Sequence, residues 1–165
     1  MQLLIVRHAI AFERNTRRWP DDAERPLSPA GMARARKAAT GLRRLTPEPL
    51  RLLASPLVRA QQTADILTRF AGWPTAEPCA LLLPQAAAEG LLALLGRARE
   101  ERIALVGHQP NLGRLIGACL PGHGTARAFA LKKMGVALVS FPHAARAGGG
   151  TLVCLLPPKT LRAAR

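Results

Sequence analysis

A chain of 165 residues, 48% hydrophobic, is long enough to bury a substantial core and too short to need two, so residues 1–165 are read as a single domain. It holds no run approaching ~20 apolar residues and no charged leader ahead of a long apolar stretch, which argues against a membrane span and predicts a soluble, cytoplasmic protein. The net charge of +14 comes from 24 basic residues spread over nearly every segment. With Tyr absent and few aromatic platforms, this reads as a general basic surface that steers anions, and nucleic acid is not expected as a partner.

The chain opens on "QLLIVR", residues 2–7, an apolar run that predicts the first strand and ends on Arg7 and His8. After a charged, Pro-containing loop, "RPLSPAGMARARKAATGLRRL" predicts a helix with Ser28 as N-cap, Pro29 as its first residue, and Met32, Ala35, Ala39 and Leu42 on its apolar face. "LRLLAS" predicts the second strand. Ser55-Pro56 then repeats the cap-plus-proline signal and predicts a helix to about Phe70, with Leu57, Ala60, Ala64 and Leu67 turned inward.

A short third strand near Thr75 to Cys79, a loop through Pro84 and a helix from about Ala87 to Arg99 lead to "RIALVG", residues 102–107, which echoes the first strand and delivers His108. A helix from about Asn111 to Cys119 follows, then a Gly/Pro-containing loop at "LPGHGTA", and two late strands, "GVALVSF" and "TLVCLL", joined by the turn-prone "HAARAGGG". Strands alternating with amphipathic helices predict an α/β fold whose helices cover a largely parallel sheet. Cys79, Cys119 and Cys154 are odd in number and far apart, which suits free thiols in a reducing compartment. The four histidines form no metal-ligand spacing, so neither a metal nor a cofactor is expected.

In open α/β sheets ligands bind beyond the carboxyl ends of the strands, where the strand order reverses. That rule gathers Arg7 and His8 after the first strand, Arg59 in the first turn of the second helix, and His108 after "IALV" onto one rim. Any one of these residues alone has an ordinary structural explanation. Together, however, four cationic or titratable groups repel one another unless an anion joins them, and a phosphoryl group fits because guanidinium forks match its oxygens.

Three stretches, "VRHA", "SPLVRAQQTA" and "VGHQPNL", in that order and each at a strand–helix junction, resemble the histidine phosphatase superfamily. Within it the chain is most similar to the compact bacterial phosphohistidine phosphatases of the SixA type, with "ERPLSPAG" and "PPKTLR" in the same style. The resemblance covers nearly the whole chain. It implies a phosphoglycerate mutase-like fold, a single-domain three-layer α/β/α sandwich with a largely parallel central sheet. It also implies that His8 is the nucleophile and is transiently phosphorylated, while Arg7, Arg59 and His108 bind the phosphoryl oxygens. Ala9 stands where many superfamily members have Gly, as it does in the SixA-like branch.

The proton donor is left open among Glu89, Glu13, Asp21 and Asp22; Glu89 follows the loop after the third strand, yet it reads equally well as a first-turn helix acid. Only 108 − 59 = 49 positions separate Arg59 from His108, so no large cap is expected. An open site suits a phosphoryl group carried on another protein, and the expected substrate is a histidine-phosphorylated domain acted on by a metal-independent monomer. The alternatives are a small-molecule phosphomonoesterase of the same superfamily, and a non-catalytic module that binds phospho-ligands or nucleic acid. The intact His8 argues against the non-catalytic reading.

Overall fold

The structure is a computed structural model that describes residues 1–122 and 128–164. Strand β1 (Gln2–Arg7) lies beside β4 (Arg102–Gly107), and the order across the six-stranded sheet is β3 (Ala76–Pro78), β2 (Arg51–Ala54), β4, β1, β5 (Val136–Ser140), β6 (Thr151–Leu156). The β1–β4, β2–β4 and β2–β3 pairs are parallel, whereas β5 runs antiparallel to both β1 and β6. The sheet is therefore largely parallel. Leu3 to Val6 and Ile103 to Val106 have no exposed surface, as central strands covered on both faces require.

Helices α1 (Pro29–Leu45), α2 (Val58–Ala71) and α5 (Pro158–Ala163) pack on one face, while α3 (Ala88–Gly96) and α4 (Asn111–Cys119) pack on the other. Each face has its own core. Leu4, Val6, Ala39, Leu42, Leu67 and Leu161 belong to the first, and Leu3, Ile5, Leu91, Leu105, Leu115 and Ile116 to the second, as the alternation of side chains along β1 demands. This is a three-layer α/β/α sandwich. Residues 72–101, between α2 and β4, carry only β3, a 3-10 turn at Ala80–Leu82 and α3, so they form no cap domain.

Helix α1 starts as its sequence predicts: Ser28 is the N-cap, its hydroxyl accepts the Gly31 N–H at 3.0 Å, and Pro29 follows. Its buried face is wider than the predicted stripe. Gly31, Ala38 and Gly41 are buried and Met32 only half-buried, because the helix also packs against the Ile10 backbone and against α5, which the sequence reading did not anticipate. A Cβ on Gly31 would lie 1.9 Å from the Ile10 carbonyl oxygen, and one on Gly41 would lie 1.7 Å from the Leu161 carbonyl oxygen.

Helix α2 departs from expectation at its start. It begins at Val58, with Leu57 as the cap residue and no side-chain cap hydrogen bond, so Ser55 does not cap it. Helix α3 ends at Gly96, three residues short of the predicted end, and β3 is limited to three residues. The predicted loop "LPGHGTA" falls partly on residues 123–126, outside the described residues. All three cysteines are free thiols. Among the described residues, no helix is long and apolar enough to cross a membrane.

Candidate active site

The register of β1 against β4 sets the site, because Arg7 lies opposite Gly107 and the next residue on each strand is a histidine. The His8 N–H donates to the Gly107 carbonyl at 3.0 Å, tying the two strand ends together. The imidazole rings stand 4.9 Å apart between centroids and are tilted by 50°. On the far side of β1, the Met134 N–H reaches the carbonyls of Arg7 at 3.0 Å and His8 at 3.3 Å. Met134 holds a φ of 66°, a left-handed conformation uncommon for a non-glycine residue.

His8 is 6% exposed. Its Nδ1 lies 2.7 Å from the Ala9 carbonyl oxygen. A carbonyl can only accept, so Nδ1 carries the hydrogen and Nε2 keeps its lone pair. Burial, with the Arg59, Arg7 and Lys133 charges, lowers the imidazole pKa to about 3 against the opposing pull of the Ala9 carbonyl. At neutral pH the ring is uncharged and its Nε2 is nucleophilic. Ala9 is fixed in turn: its N–H donates to Thr63 Oγ1 at 3.0 Å, and that hydroxyl donates to the Arg59 carbonyl at 2.7 Å. One buried threonine thus locks the turn after His8 onto the first turn of α2.

Arg59, 4% exposed, is the second residue of α2 and reaches back to the loop between β1 and α1. Its Nη1 donates to the Asp22 carbonyl at 2.7 Å, and its Nη2 lies 3.2 Å from Asp22 Oδ2. Arg7 Nη1 donates to the Leu131 carbonyl at 2.8 Å. Both arginines are held by one end of the guanidinium, and the Nε atom of each is buried without a partner among the described residues. Nδ1 of His108 is likewise buried with no partner among the described residues, while its Nε2 lies 2.9 Å from Ser55 Oγ. Burial, reinforced by His8, Arg59 and Arg7, lowers the His108 pKa to about 3. Buried polar nitrogens without partners are rare, and the His108 ring 4.9 Å from His8, with the Arg7 and Arg59 charges that act on the His8 ring, suits the oxygens of a tetrahedral oxyanion.

The four rim residues singled out in the sequence therefore come together. The carboxylates do not join them as a group. Glu89 stands exposed in the first turn of α3, with no hydrogen bond or ion pair from its carboxylate among the described residues. Asp22 meets the site through Arg59, and its charge opposes the lowering of the His108 pKa. A hydrogen bond from Arg25 at 2.8 Å, with the Arg59 and Arg14 charges, holds its carboxyl below the usual range, so it is an acceptor that positions Arg59 and a poor proton donor.

Sequence reading missed Thr63, the hydroxyl role of Ser55, and Lys133. Thr63 was detectable, since it lies four residues after Arg59 on one helix and so shares its face. Lys133 was not, because its charge is brought within range of His8 by the turn ahead of β5, where the Met134 N–H bonds the Arg7 and His8 carbonyls.

Residues 3–81 match the model of the histidine phosphatase superfamily (branch 1), a span that includes Arg7, His8 and Arg59. An uncharacterized protein of Picosynechococcus sp. is 36% identical over 139 residues, 82% of each chain. The solved structure of the protein histidine phosphatase SixA complexed with tungstate superposes with a TM-score of 0.84 at 27% identity, over 98% of this chain and 99% of the other. The alpha-ribazole phosphatase of Shigella flexneri shares the fold, with a TM-score of 0.74 at 18% identity over 96% and 97% of the two chains. With the arginine–histidine pair at the end of β1, its partners on α2 and β4, and a relative this similar along most of its length, the chain belongs to the histidine phosphatase superfamily.

Proposed function

We propose that this protein is a metal- and cofactor-independent phosphatase that removes the phosphoryl group from phosphohistidine on a protein substrate. The observation that carries this reading is the neutral His8 ring, with a free Nε2, beside the His108 ring and under the charges of Arg59 and Arg7. His8 Nε2 attacks phosphorus as the other ring nitrogen of the substrate's phosphohistidine takes a proton from solvent; the bond from phosphorus to the substrate's ring nitrogen breaks, and its electron pair leaves with a neutral imidazole. Water then attacks the phosphoryl group on His8, releasing inorganic phosphate and restoring the neutral ring. Arg7, Arg59 and His108 bind the equatorial oxygens in both steps, where charge spreads over them.

The substrate class follows from the leaving group. A serine alkoxide leaves as the base of an acid with a pKa near that of water, ~15.7, and needs a placed general acid. A phosphohistidine ring protonated on its other nitrogen, by solvent or by a weakly placed group, leaves as neutral imidazole, the base of an acid of pKa ~6.5. Asp22, held ionised by arginines, cannot supply that acid, and Glu89 stands in no hydrogen-bond contact with the four site residues. The reading therefore favours phosphoramidates over phosphoesters.

The test is a paired kcat/KM measurement on a histidine-phosphorylated domain and on phosphoserine and sugar phosphate substrates, with and without EDTA. The expected result is strong preference for phosphohistidine and no effect of EDTA. Equal rates on the phosphoesters would favour a small-molecule or general phosphomonoesterase, and loss of activity in EDTA restored by a divalent ion would reveal a metal requirement.

A further inference from the structure

Ser55 is fully buried, and every polar group it carries is anchored near His108. Its N–H donates to the Val106 carbonyl at 2.9 Å, two residues before His108 on β4, and its carbonyl accepts from Gln61 Nε2 at 2.7 Å. Among the described residues the hydroxyl then has two neighbours: His108 Nε2 at 2.9 Å, and the Leu57 N–H at 3.4 Å, which can only donate. A serine hydroxyl has one hydrogen to give. If His108 Nε2 carried a hydrogen, both neighbours would be donors, and the Ser55 O–H would be left buried with no acceptor, a costly arrangement. The hydrogen must therefore run from Ser55 Oγ to His108 Nε2.

We propose that Ser55 is a positioning residue that fixes the tautomer of His108, leaving the hydrogen on Nδ1 so that this atom is an N–H donor to a phosphoryl oxygen. The proposal rests on the phosphatase reading of the site and adds a residue to it. Nδ1 is buried, has no partner among the described residues, and belongs to a ring 4.9 Å from the His8 ring. In the opposite tautomer it would turn a lone pair toward phosphoryl oxygens and repel them. Without the Ser55 hydroxyl neither tautomer is selected, and the site loses a fixed donor without losing charge. Depressed basicity keeps the ring neutral at pH 7, so the tautomer matters under working conditions.

The experiment is two-bond ¹H–¹⁵N correlation spectroscopy at pH 7 on full-length protein labelled with [¹⁵N]histidine, with His108 assigned by His108→Gln. In the wild type, His108 should show a protonated Nδ1 and a bare Nε2; the reverse pattern overturns the proposal without any variant. Ser55→Ala should move the ring to a mixture or to the Nε2–H form. It should also lower kcat/KM about tenfold and weaken inhibition by inorganic phosphate, while Ser55→Thr, which keeps the hydroxyl, should restore the Nδ1–H pattern and most of the activity. An unchanged tautomer in folded Ser55→Ala overturns the proposal. Should the wild type turn over no phosphorylated substrate, the phosphatase reading fails, and the spectra still decide the tautomer.

Discussion

Two Ser-Pro dipeptides precede two helices on the same face of the sheet, and their hydroxyls do different work. At Ser28 the hydroxyl accepts the Gly31 N–H at 3.0 Å and donates to the Ile10 carbonyl at 3.3 Å, closing the start of α1 against the turn that follows His8. At Ser55 the helix starts three residues later, and the hydroxyl lies 2.9 Å from His108 Nε2 and 3.4 Å from the nearest helix-side N–H. The difference comes from the neighbouring strand. Ser55 follows β2, which pairs with β4, so His108 lies within its reach; Ser28 follows an irregular loop whose nearest acceptor is a main-chain carbonyl. One region is built to hold and the other to react, and substitutions on the two sides should separate stability from turnover.

The largest effect is expected on the reactive side. Arg59→Ala should lower kcat/KM by about 10²-fold or more, the usual result of removing one donor to the transition state, and lower the melting temperature as well, because the buried partner of Asp22 is lost. Arg59→Lys should recover little of this, since a point charge cannot both hold Asp22 and present a second N–H to the phosphoryl group. Wild-type activity in either variant would erase the contrast between the two regions.

The pH dependence of stability sharpens it. His8 and His108 fold with pKa values of about 3, against ~6.5 in an unfolded chain. Between those values the unfolded chain binds more protons, so stability rises with pH across this window and falls on acidification from about 6.5 toward 3. Urea titrations at pH 7 and pH 5 should show a lower midpoint at pH 5, and His108→Gln should shrink the difference. A difference unaffected by His108→Gln would mean that other groups dominate.

On the holding side, Gly31→Ala places a Cβ against the Ile10 carbonyl and should cost about 1–3 kcal/mol of stability, as overpacking does, with some loss of turnover because Ile10 is two residues from His8. Ser28→Ala should cost about 1 kcal/mol by urea denaturation and leave kcat/KM nearly unchanged. The smallest effect is expected at Glu89. Glu89→Gln should cost less than about tenfold in kcat/KM on phosphohistidine, and a loss near 10³-fold would identify it as a general acid.

Much of this was legible because the elements that carry the site are locally coded. β1 and α4 begin and end where periodicity places them, and Arg7, His8, Arg59 and His108 follow from the rule that strand ends at a switch point form the site. What was not legible depends on pairing across the sheet. Ser55 reads as a cap until β2 is placed beside β4. Asp22 reads as a free acid until Arg59, Arg25 and Arg14 close on it, and Lys133 has no local signal at all. Helix α5 was missed for a similar reason: six residues are too few to show a period, and it is held by Leu161 against α1.

The central claim, that His8 carries the phosphoryl group during turnover, is tested most directly by rapid quenching after mixing with a ³²P-labelled histidine-phosphorylated domain. The account predicts label on His8 that survives alkali and is lost in acid, as a P–N bond requires, and its absence from His8→Ala together with turnover. Undiminished turnover by His8→Ala, or label on any other residue, would contradict it.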